Sequence, residues 1–508
     1  MALLALLAAA TLGAGGACDH VARIAVPDVR IVTATPVAAG SGFASPDARA
    51  PKVEAGFCRI EGVIEKEIGF ELWLPLRGVW NGHLLTGGVG GQAGSFNYRE
   101  LARGVSRGYA AASTDTGHKA SDRHWLLGDP QRGVNYAERA NHLLAMKAKA
   151  VIAGFYRKPV RRAIFSGCSG GGRQAMTEAQ RYPGDYDGIL AGAPGVNTPE
   201  MSARRMWEMI QHRRHAGLMS AADWTLVARS GVSRCDAEDG VRDGLVANPA
   251  ACRFDVGELL CRPGVASAGA GRCLGPEQVA LARRIYGPLH DENGKRIDSG
   301  ILPGVPVSAT PLPEPFTPGP PYLAVSLFGD GVHRDPDWDA RNFRIADDLP
   351  AIDRVMNLHA DDPDLSAFRA RGGKLLMYQG WADPLVLAQS TTAYFEAVHA
   401  RMGGDASDFL RLYMVPGMDH CIGGSGPDLF GATGGEGLDR APEHDMLSAL
   451  ERWLDGGKAP GAILSVKREN GAIAAQRPLC PYPQAAYYIG SGDPKRAASF
   501  RCRLPLQK

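Results

Sequence analysis

The chain has 508 residues, 45% of them hydrophobic and 22% charged, with 56 Lys and Arg against 54 Asp and Glu for a formal net charge of +2. That length exceeds one ordinary hydrophobic core, so one large domain carrying a substantial insertion, or two domains, is expected. The balanced charge excludes the basic excess of nucleic-acid binders and describes a globular protein whose partners must be read from its sites.

Residues Met1–Ala17 are small and apolar, with an Ala-rich run ending Gly15-Gly16-Ala17. They read as a signal-peptide core and cleavage site, too short to span a bilayer. No Lys or Arg precedes the run, which leaves open whether Met1 is the true start. Ala17-Cys18 hints at a lipidation site, weakened by Gly15 where a branched apolar residue is wanted. No later segment offers about 18 uninterrupted apolar residues, so no transmembrane helix is expected. Ten cysteines behind such a leader point to disulfides in an oxidising compartment, hence to a secreted or periplasmic protein. Cys235/Cys252, Cys261/Cys273 and Cys480/Cys502 are near enough in sequence to staple loops, although spacing alone does not fix connectivity. The absence of any C-x-x-C pair argues against zinc.

From Cys18 to about Arg77 apolar and polar residues alternate, as in Arg23–Pro27 and Gly69–Pro75, which predicts strands opening a mixed sheet. His83–Thr86 then runs into Gly87-Gly-Val-Gly-Gly-Gln-Ala-Gly94, a strand followed by a turn rich in backbone N–H groups. Two chemistries want such a loop. Gly88-x-Gly90-x-x-Ala93 formally satisfies the dinucleotide fingerprint, with Asp115 as the ribose acid. That fingerprint belongs on a domain's first strand with a helix directly after it, whereas here strands come first and Ser95–Tyr98 starts a helix poorly. The loop after an early strand also supplies half of the oxyanion hole in hydrolases with a nucleophile elbow, and this reading is preferred.

Asn141–Phe155 has helical spacing and leads into the strand Ala163-Ile-Phe-Ser166. Gly167-Cys168-Ser169-Gly170-Gly171 then fits G-x-S-x-G, where small neighbours let a strained turn raise one hydroxyl above the sheet. A helix from Gly172 to about Arg181 and a buried strand over Asp187–Gly192 follow. The alternation indicates a doubly wound, mostly parallel α/β sheet. It stops near Gly195. Residues 196–361 hold helical stretches (Ser202–Gln211, Ala221–Ala228), cysteine-bearing loops and a Pro-rich run from Pro303 to Pro321, which reads as a large inserted lid domain. The α/β pattern resumes at Lys374–Tyr378, with a helix over Ala388–Arg401, a strand over Phe409–Val415 and a helix over Met446–Leu454. The predicted organisation is a leader 1–17, a catalytic domain split into 18–195 and 362–508, and the lid 196–361 between them.

A serine hydroxyl needs a base, and the base an acid that fixes its tautomer. Asp383 in Gly380-Trp-Ala-Asp-Pro384 and His420 in Pro416-Gly-Met-Asp-His-Cys421 each lie just past a predicted strand, on the same sheet edge as Ser169. The chain order Ser, Asp, His is that of α/β-hydrolases. Asp383 before a proline also reads as a turn former, and Asp419 beside His420 is a competing acid. Cys168 precedes Ser169 and Cys421 follows His420, so if nucleophile and base meet the two sulfurs approach, and a disulfide there would tie the catalytic turns together. In the lid, Cys235-Asp236-Ala-Glu-Asp239-Gly-Val241-Arg-Asp243-Gly-Leu245 spaces carboxylates and glycines as a loop around a hard cation would, calcium rather than magnesium, with a solvated acidic turn as the plain alternative.

These residues resemble the tannase and feruloyl esterase family, which includes mono(2-hydroxyethyl) terephthalate hydrolase. The Gly-Cys-Ser-x-Gly-Gly elbow, the Gly-x-x-Asp turn, the His-Cys pair and the Asp-x-x-Asp-Gly-x-x-Asp-Gly loop occur in family order, and matching stretches run from Trp80-Asn-Gly82 to Arg477–Pro483. The resemblance implies an α/β-hydrolase fold with Ser169 as nucleophile, His420 as base and Asp383 as orienting acid. It further implies an oxyanion hole from the N–H groups of Gly90 and Gly170. It implies structural Ca²⁺ on Asp236, Asp239 and Asp243 with the carbonyls of Val241 and Leu245. It implies the disulfides Cys18–Cys58, Cys168–Cys421, Cys235–Cys252, Cys261–Cys273 and Cys480–Cys502, a pairing that argues against lipidation of Cys18. Two departures stand out: Gly170 where relatives often carry a larger residue, and a short, Pro-rich lid.

The expectation is a secreted serine carboxylic ester hydrolase acting through an acyl-enzyme on esters of hydroxycinnamic, gallic or related benzoic acids, free or decorating a polysaccharide or polyphenol. Phe316, Tyr322, Phe328, Trp338 and Phe343 are candidates for the ring pocket and equally for lid core. The rivals are an NAD(P)-dependent oxidoreductase using Gly88–Ala93 and a non-catalytic secreted binding protein on the same fold. The natural ester, activity on terephthalate monoesters and the oligomeric state are not legible.

Overall fold

The computed structural model describes residues 18–262, 272–307 and 323–505. The leader call on residues 1–17 lies outside them, as do Phe316, Tyr322 and most of the Pro-rich run. Nine strands form one sheet: β1 Val29–Val37, β2 Phe57–Ile64, β3 Ile68–Pro75, β4 His83–Gly87, β5 Ala110–Thr114, β6 Arg162–Cys168, β7 Gly188–Gly192, β8 Lys374–Gly380 and β9 Leu410–Val415. Their order is β1-β2-β3-β5-β4-β6-β7-β8-β9. The pairs from β1 to β5 are antiparallel, and every pair from β5 through β4 to β9 is parallel. This is the α/β-hydrolase architecture.

The central strands are short apolar runs because both their faces are covered, and successive residues serve opposite faces. Leu84, Phe165, Ile189 and Leu375 belong to one core cluster, whereas their neighbours Leu85, Ile164, Leu190 and Leu376 belong to another. The helices α2 (Ala140–Tyr156), α3 (Gly170–Arg181) and α8 (Ala388–Arg401) cover the first face, packing Leu144, Ile152, Met176 and Phe395 against it. On the other lie α1 (Tyr98–Ser106) and α9 (Met446–Leu454), the latter burying Leu447, Leu450 and Trp453.

Between β7 and β8 no described residue adds a strand to the sheet. The segment holds α4 (Thr198–Arg214), α5 (Ala221–Cys235), α6 (Pro276–Tyr286) and α7 (Ile345–Val355). A separate cluster built from Met206, Met209, Phe328 and Trp338 is shared with Trp125 and Tyr136 of the sheet domain. The sequence places two features differently. Arg23–Pro27, read as a strand, is a turn in which the Val29 N–H donates to Val26 O, and β1 begins only after Asp28 at φ +62°. Pro27 has no N–H to give a ladder. The tail after α9 carries two hairpins that the sequence reading did not identify, β10 Ile463–Glu469 with β11 Ala472–Leu479 and β12 Ala485–Tyr488 with β13 Phe500–Arg503.

The crowded glycines after β6 are explained by backbone approach. A Cβ on Gly172 would lie 2.3 Å from Gly192 O and 2.9 Å from Pro194 Cα, so α3 sits directly on the end of β7. Neither neighbour is a flexible side chain. Gly172→Ala should therefore lower stability by about 1–3 kcal/mol, seen as a lower urea midpoint with an unchanged slope.

Candidate active site

Ser169 stands between β6 and α3 at φ +63°, ψ −124°, the strained conformation of a nucleophile elbow. The turn is held by backbone: the Ser169 N–H donates to Gly192 O at 3.0 Å and the Arg173 N–H to Ser169 O at 2.9 Å. A Cβ on Gly167 would lie 2.3 Å from Gly171 O, so the tightness itself demands glycine there. The Gly88–Gly94 loop closes over this turn. A Cβ on Gly90 would sit 3.7 Å from Ser169 Cβ, and one on Gly170 3.1 Å from Gly91 N. Both residues named for the oxyanion hole thus meet beside Ser169.

Asp383 and His420 follow β8 and β9, as their sequence positions predict. His420 Nδ1 lies 2.8 Å from Asp383 Oδ2. Asp383 is buried and its oxygens receive other donors: Leu385 N–H at 2.8 Å and Val386 N–H at 3.0 Å on Oδ1, Gln379 Nε2 at 3.0 Å on Oδ2. A carboxylate so surrounded accepts only, so Nδ1 carries the ring proton and Nε2 is left as a base. One Asp383 oxygen thus closes the turn after β8 while the other faces the His420 ring. Asp419, the competing acid, accepts from the His420 backbone N–H at 2.7 Å and so caps the loop rather than facing the ring. Gln379 is a residue that sequence reasoning missed. It is fully buried, and Thr391 Oγ1 donates to its Oε1 at 2.9 Å, turning the amide N–H toward Asp383.

Cys168 and Cys421 are bonded across 253 residues with Cα atoms 6.0 Å apart. The other four bonds are Cys18–Cys58, Cys235–Cys252, Cys261–Cys273 and Cys480–Cys502, with no cysteine free. Every implied pairing is present.

A cavity of about 630 Å³ opens over Ser169 and Gly170. One wall is α4, whose Glu200, Arg204 and Glu208 line it at the four-residue spacing of a helix face, with Arg205 beside them. Arg204 is held there by Glu208 at 2.9 Å and Asp298 at 2.7 Å, and burial pushes the carboxyl of Glu208 up. The facing side is apolar, with Leu385 and Leu387 just past Asp383. The described aromatic candidates are not among its lining residues: Phe328, Trp338 and Phe343 are buried in the cluster the insertion shares with Trp125 and Tyr136, with Phe328 and Phe343 rings 4.6 Å apart. Aromatic composition marks the lid, but which face a ring takes is set by packing.

The dinucleotide reading fails on two counts. Asp115 is buried and accepts from Gly69 N–H at 2.8 Å, Gly117 N–H at 2.9 Å and Lys119 Nζ at 2.6 Å, which leaves no carboxylate for a ribose. The glycine loop packs on the elbow, and its helix, α1, starts only at Tyr98 behind an Asn97 cap.

The lid loop brings Asp236, Asp239 and Asp243 into one turn. Asp236 Oδ1 accepts from the Asp243 and Gly244 N–H groups, both at 3.0 Å, while Arg477 of β11 pairs with Asp239 at 3.3 Å and with Asp243. Among the described residues no three acidic, His or Cys side chains converge as a metal-ligating group. The chemistry of the set nonetheless suits a hard cation. The Arg477 guanidinium pairs with two of the three carboxylates, and burial, against the pull of Arg477, pushes the Asp239 carboxyl up to about 6.

Comparison with known proteins gives a consistent result. The family model described as tannase and feruloyl esterase matches residues 53–317 and 323–503. An uncharacterised esterase of Xanthomonas campestris is 34% identical, the match covering 97% of this chain and 92% of that protein. A probable feruloyl esterase B-1 of Aspergillus flavus is 28% identical over 96% of this chain and 95% of its own. The crystal structure of feruloyl esterase B from Aspergillus oryzae superposes with a TM-score of 0.87 at 25% identity, covering 96% and 99% of the two chains. No helix among the described residues is long and apolar enough to cross a membrane.

The disulfide beside the elbow is directly testable. Cys168→Ala with Cys421→Ala should lower kcat/KM at least about tenfold, because a loss of register of about 1 Å costs up to about a hundredfold. Unchanged turnover on any ester the wild type cleaves would remove the bond from the site's support.

Proposed function

The chain belongs to the tannase and feruloyl esterase family and is a carboxylic ester hydrolase, and we propose that its substrates are esters of aromatic acids, cleaved by Ser169, His420 and Asp383. The observation that carries this reading is the 2.8 Å contact of His420 Nδ1 with buried Asp383, next to a disulfide that reaches the residue preceding the strained Ser169.

In this mechanism Ser169 Oγ attacks the ester carbonyl while His420 Nε2 takes its proton, and Asp383 stabilises the imidazolium that forms. The N–H groups of Gly90 and Gly170 receive the developing oxyanion. The tetrahedral intermediate collapses, its C–O bond to the alcohol breaks, and His420 protonates the leaving oxygen. Water, deprotonated by His420, then attacks the acyl-enzyme and releases the acid and free Ser169. The half-apolar, half-charged cavity suits an aromatic ring bearing polar substituents, including hydroxycinnamoyl or galloyl groups carried on a polysaccharide or polyphenol. Five disulfides support placing the protein outside the reducing cytosol, secreted or periplasmic.

The proposal extends to a Ca²⁺ held by the carboxylates of Asp236, Asp239 and Asp243 and the carbonyls of Val241 and Leu245. Such a cation would neutralise the loop and fasten it to the tail, where Arg477 lies 3.8 Å over the Phe500 ring. It would have no part in the chemistry at Ser169.

Ser169→Ala should reduce hydrolysis of methyl ferulate or methyl gallate by at least about 10³-fold. It should also abolish labelling by a fluorophosphonate probe, and wild-type turnover in the variant would sink the reading. For the cation, chelation followed by return of Ca²⁺ should raise Tm by about 2–4 °C, and the Asp239→Asn protein should not respond. An identical Tm with and without Ca²⁺ would leave the loop as an acidic turn closed by Arg477.

A further inference from the structure

We infer that Tyr136 is a positioning residue of the oxyanion hole, fixing the Gly88–Gly94 loop against the nucleophile helix. The inference rests on the proposed reading of Ser169 and Gly90. Gly90 has no side chain with which to hold itself in place, and Gly90 and Gly91 are both exposed, Gly91 lining the cavity. Their orientation has to come from the flanks. On the N-terminal side the Gly88 N–H donates to Ser166 O at 2.9 Å and the Val89 N–H to Gln174 Oε1 at 3.0 Å. On the C-terminal side the Tyr136 hydroxyl donates to Gly91 O at 2.8 Å, and Trp125 Nε1 donates to Gln92 Oε1 at 3.1 Å.

Tyr136 is itself fastened to the nucleophile's own helix. It lies in a π-helical turn, Asn135–Arg139, immediately ahead of α2. Such turns carry an extra residue and redirect side chains, which is why they recur at functional sites. Arg173, fully buried on α3 four residues after Ser169, donates to Tyr136 O at 3.0 Å and to Ala137 O at 2.6 Å. Its guanidinium also stands 5.1 Å from the Tyr136 ring centroid. A continuous path therefore runs from Ser169 through α3, Arg173 and Tyr136 to Gly91. Both halves of the oxyanion hole, Gly170 at the head of α3 and Gly90 in the loop, are referred to one helix.

Tyr136→Phe removes only the hydroxyl. Loss of a whole oxyanion donor costs about 10²–10³ in kcat, and misaiming one should cost about tenfold. The expected result is a kcat about tenfold lower with KM and Tm unchanged. A boronic acid that mimics the tetrahedral state should weaken by the same factor, while the product acid binds as before. Gln92→Leu, which frees the neighbouring anchor, should give the same split and serves if Tyr136→Phe does not fold. An unchanged kcat, or a fall that leaves boronate affinity intact or tracks a loss of Tm, overturns the inference. Failure of the underlying reading is separately visible, because Ser169→Ala would then keep wild-type turnover.

Discussion

A covalent bond between Cys168 and Cys421 ties together the two turns that carry Ser169 and His420. Ser169 and His420 follow strands β6 and β9, which are separated in the sheet by β7 and β8 and in the chain by the whole insertion. In an ordinary hydrolase sheet, packing alone has to keep those two turns in register. Here a covalent link joins the residue before one to the residue after the other. Both flanking turns are backbone-strained, with Ser169 at φ +63° and Cys421 at φ +66°. Closing a loop of this length removes roughly 5 kcal/mol of chain entropy from the unfolded state in the entropic model, and part of that stabilisation offsets the strain of the two turns.

Around this link the site is assembled from buried polar contacts. Gln379 turns its amide toward Asp383, which holds the His420 ring, each step a hydrogen bond of about 3 Å, with Gln379 and Asp383 buried and His420 partly exposed. On the other side Arg173 reaches from α3 to the carbonyls under Tyr136. Buried groups of this kind are costly unless satisfied, so their pairing selects one arrangement of the elements that carry them. The substrate cavity is different in kind. Its α4 wall carries charges of both signs, held by one another, and it faces leucines that follow Asp383 directly.

Much of this was legible in the residues. Short apolar runs bounded by glycine mark β4, β6, β7, β8 and β9 because buried parallel strands leave no polar face. Ser169, Asp383 and His420 drew notice because they sit at strand ends, where chemistry collects in such sheets. Other features carried no local signal. Gln379 is an ordinary residue at the end of β8, and only its neighbours give it a role. The aromatic residues of the lid looked suited to a ring pocket, yet Phe328, Trp338 and Phe343 fill the lid core. Asp115 matched a spacing rule but spends its oxygens on Gly69, Gly117 and Lys119. The tail hairpins were overlooked because Ile463–Glu469 and Ala472–Leu479 are amphipathic only in part and one face stays open.

Read along the chain, the residues were enough for the fold class, for the expectation that Ser169, Asp383 and His420 stand at strand ends, and for the glycines without which the elbow cannot close. These are properties of periodicity, residue chemistry and steric permission, all local to a few positions. Which acid faces His420, which residues line the cavity and which side chain meets the Gly88–Gly94 loop emerge only from the folded chain. Those outcomes depend on groups as far apart in the chain as Gly91 and Tyr136, or Asp239 and Arg477, whose proximity no spacing along the chain records.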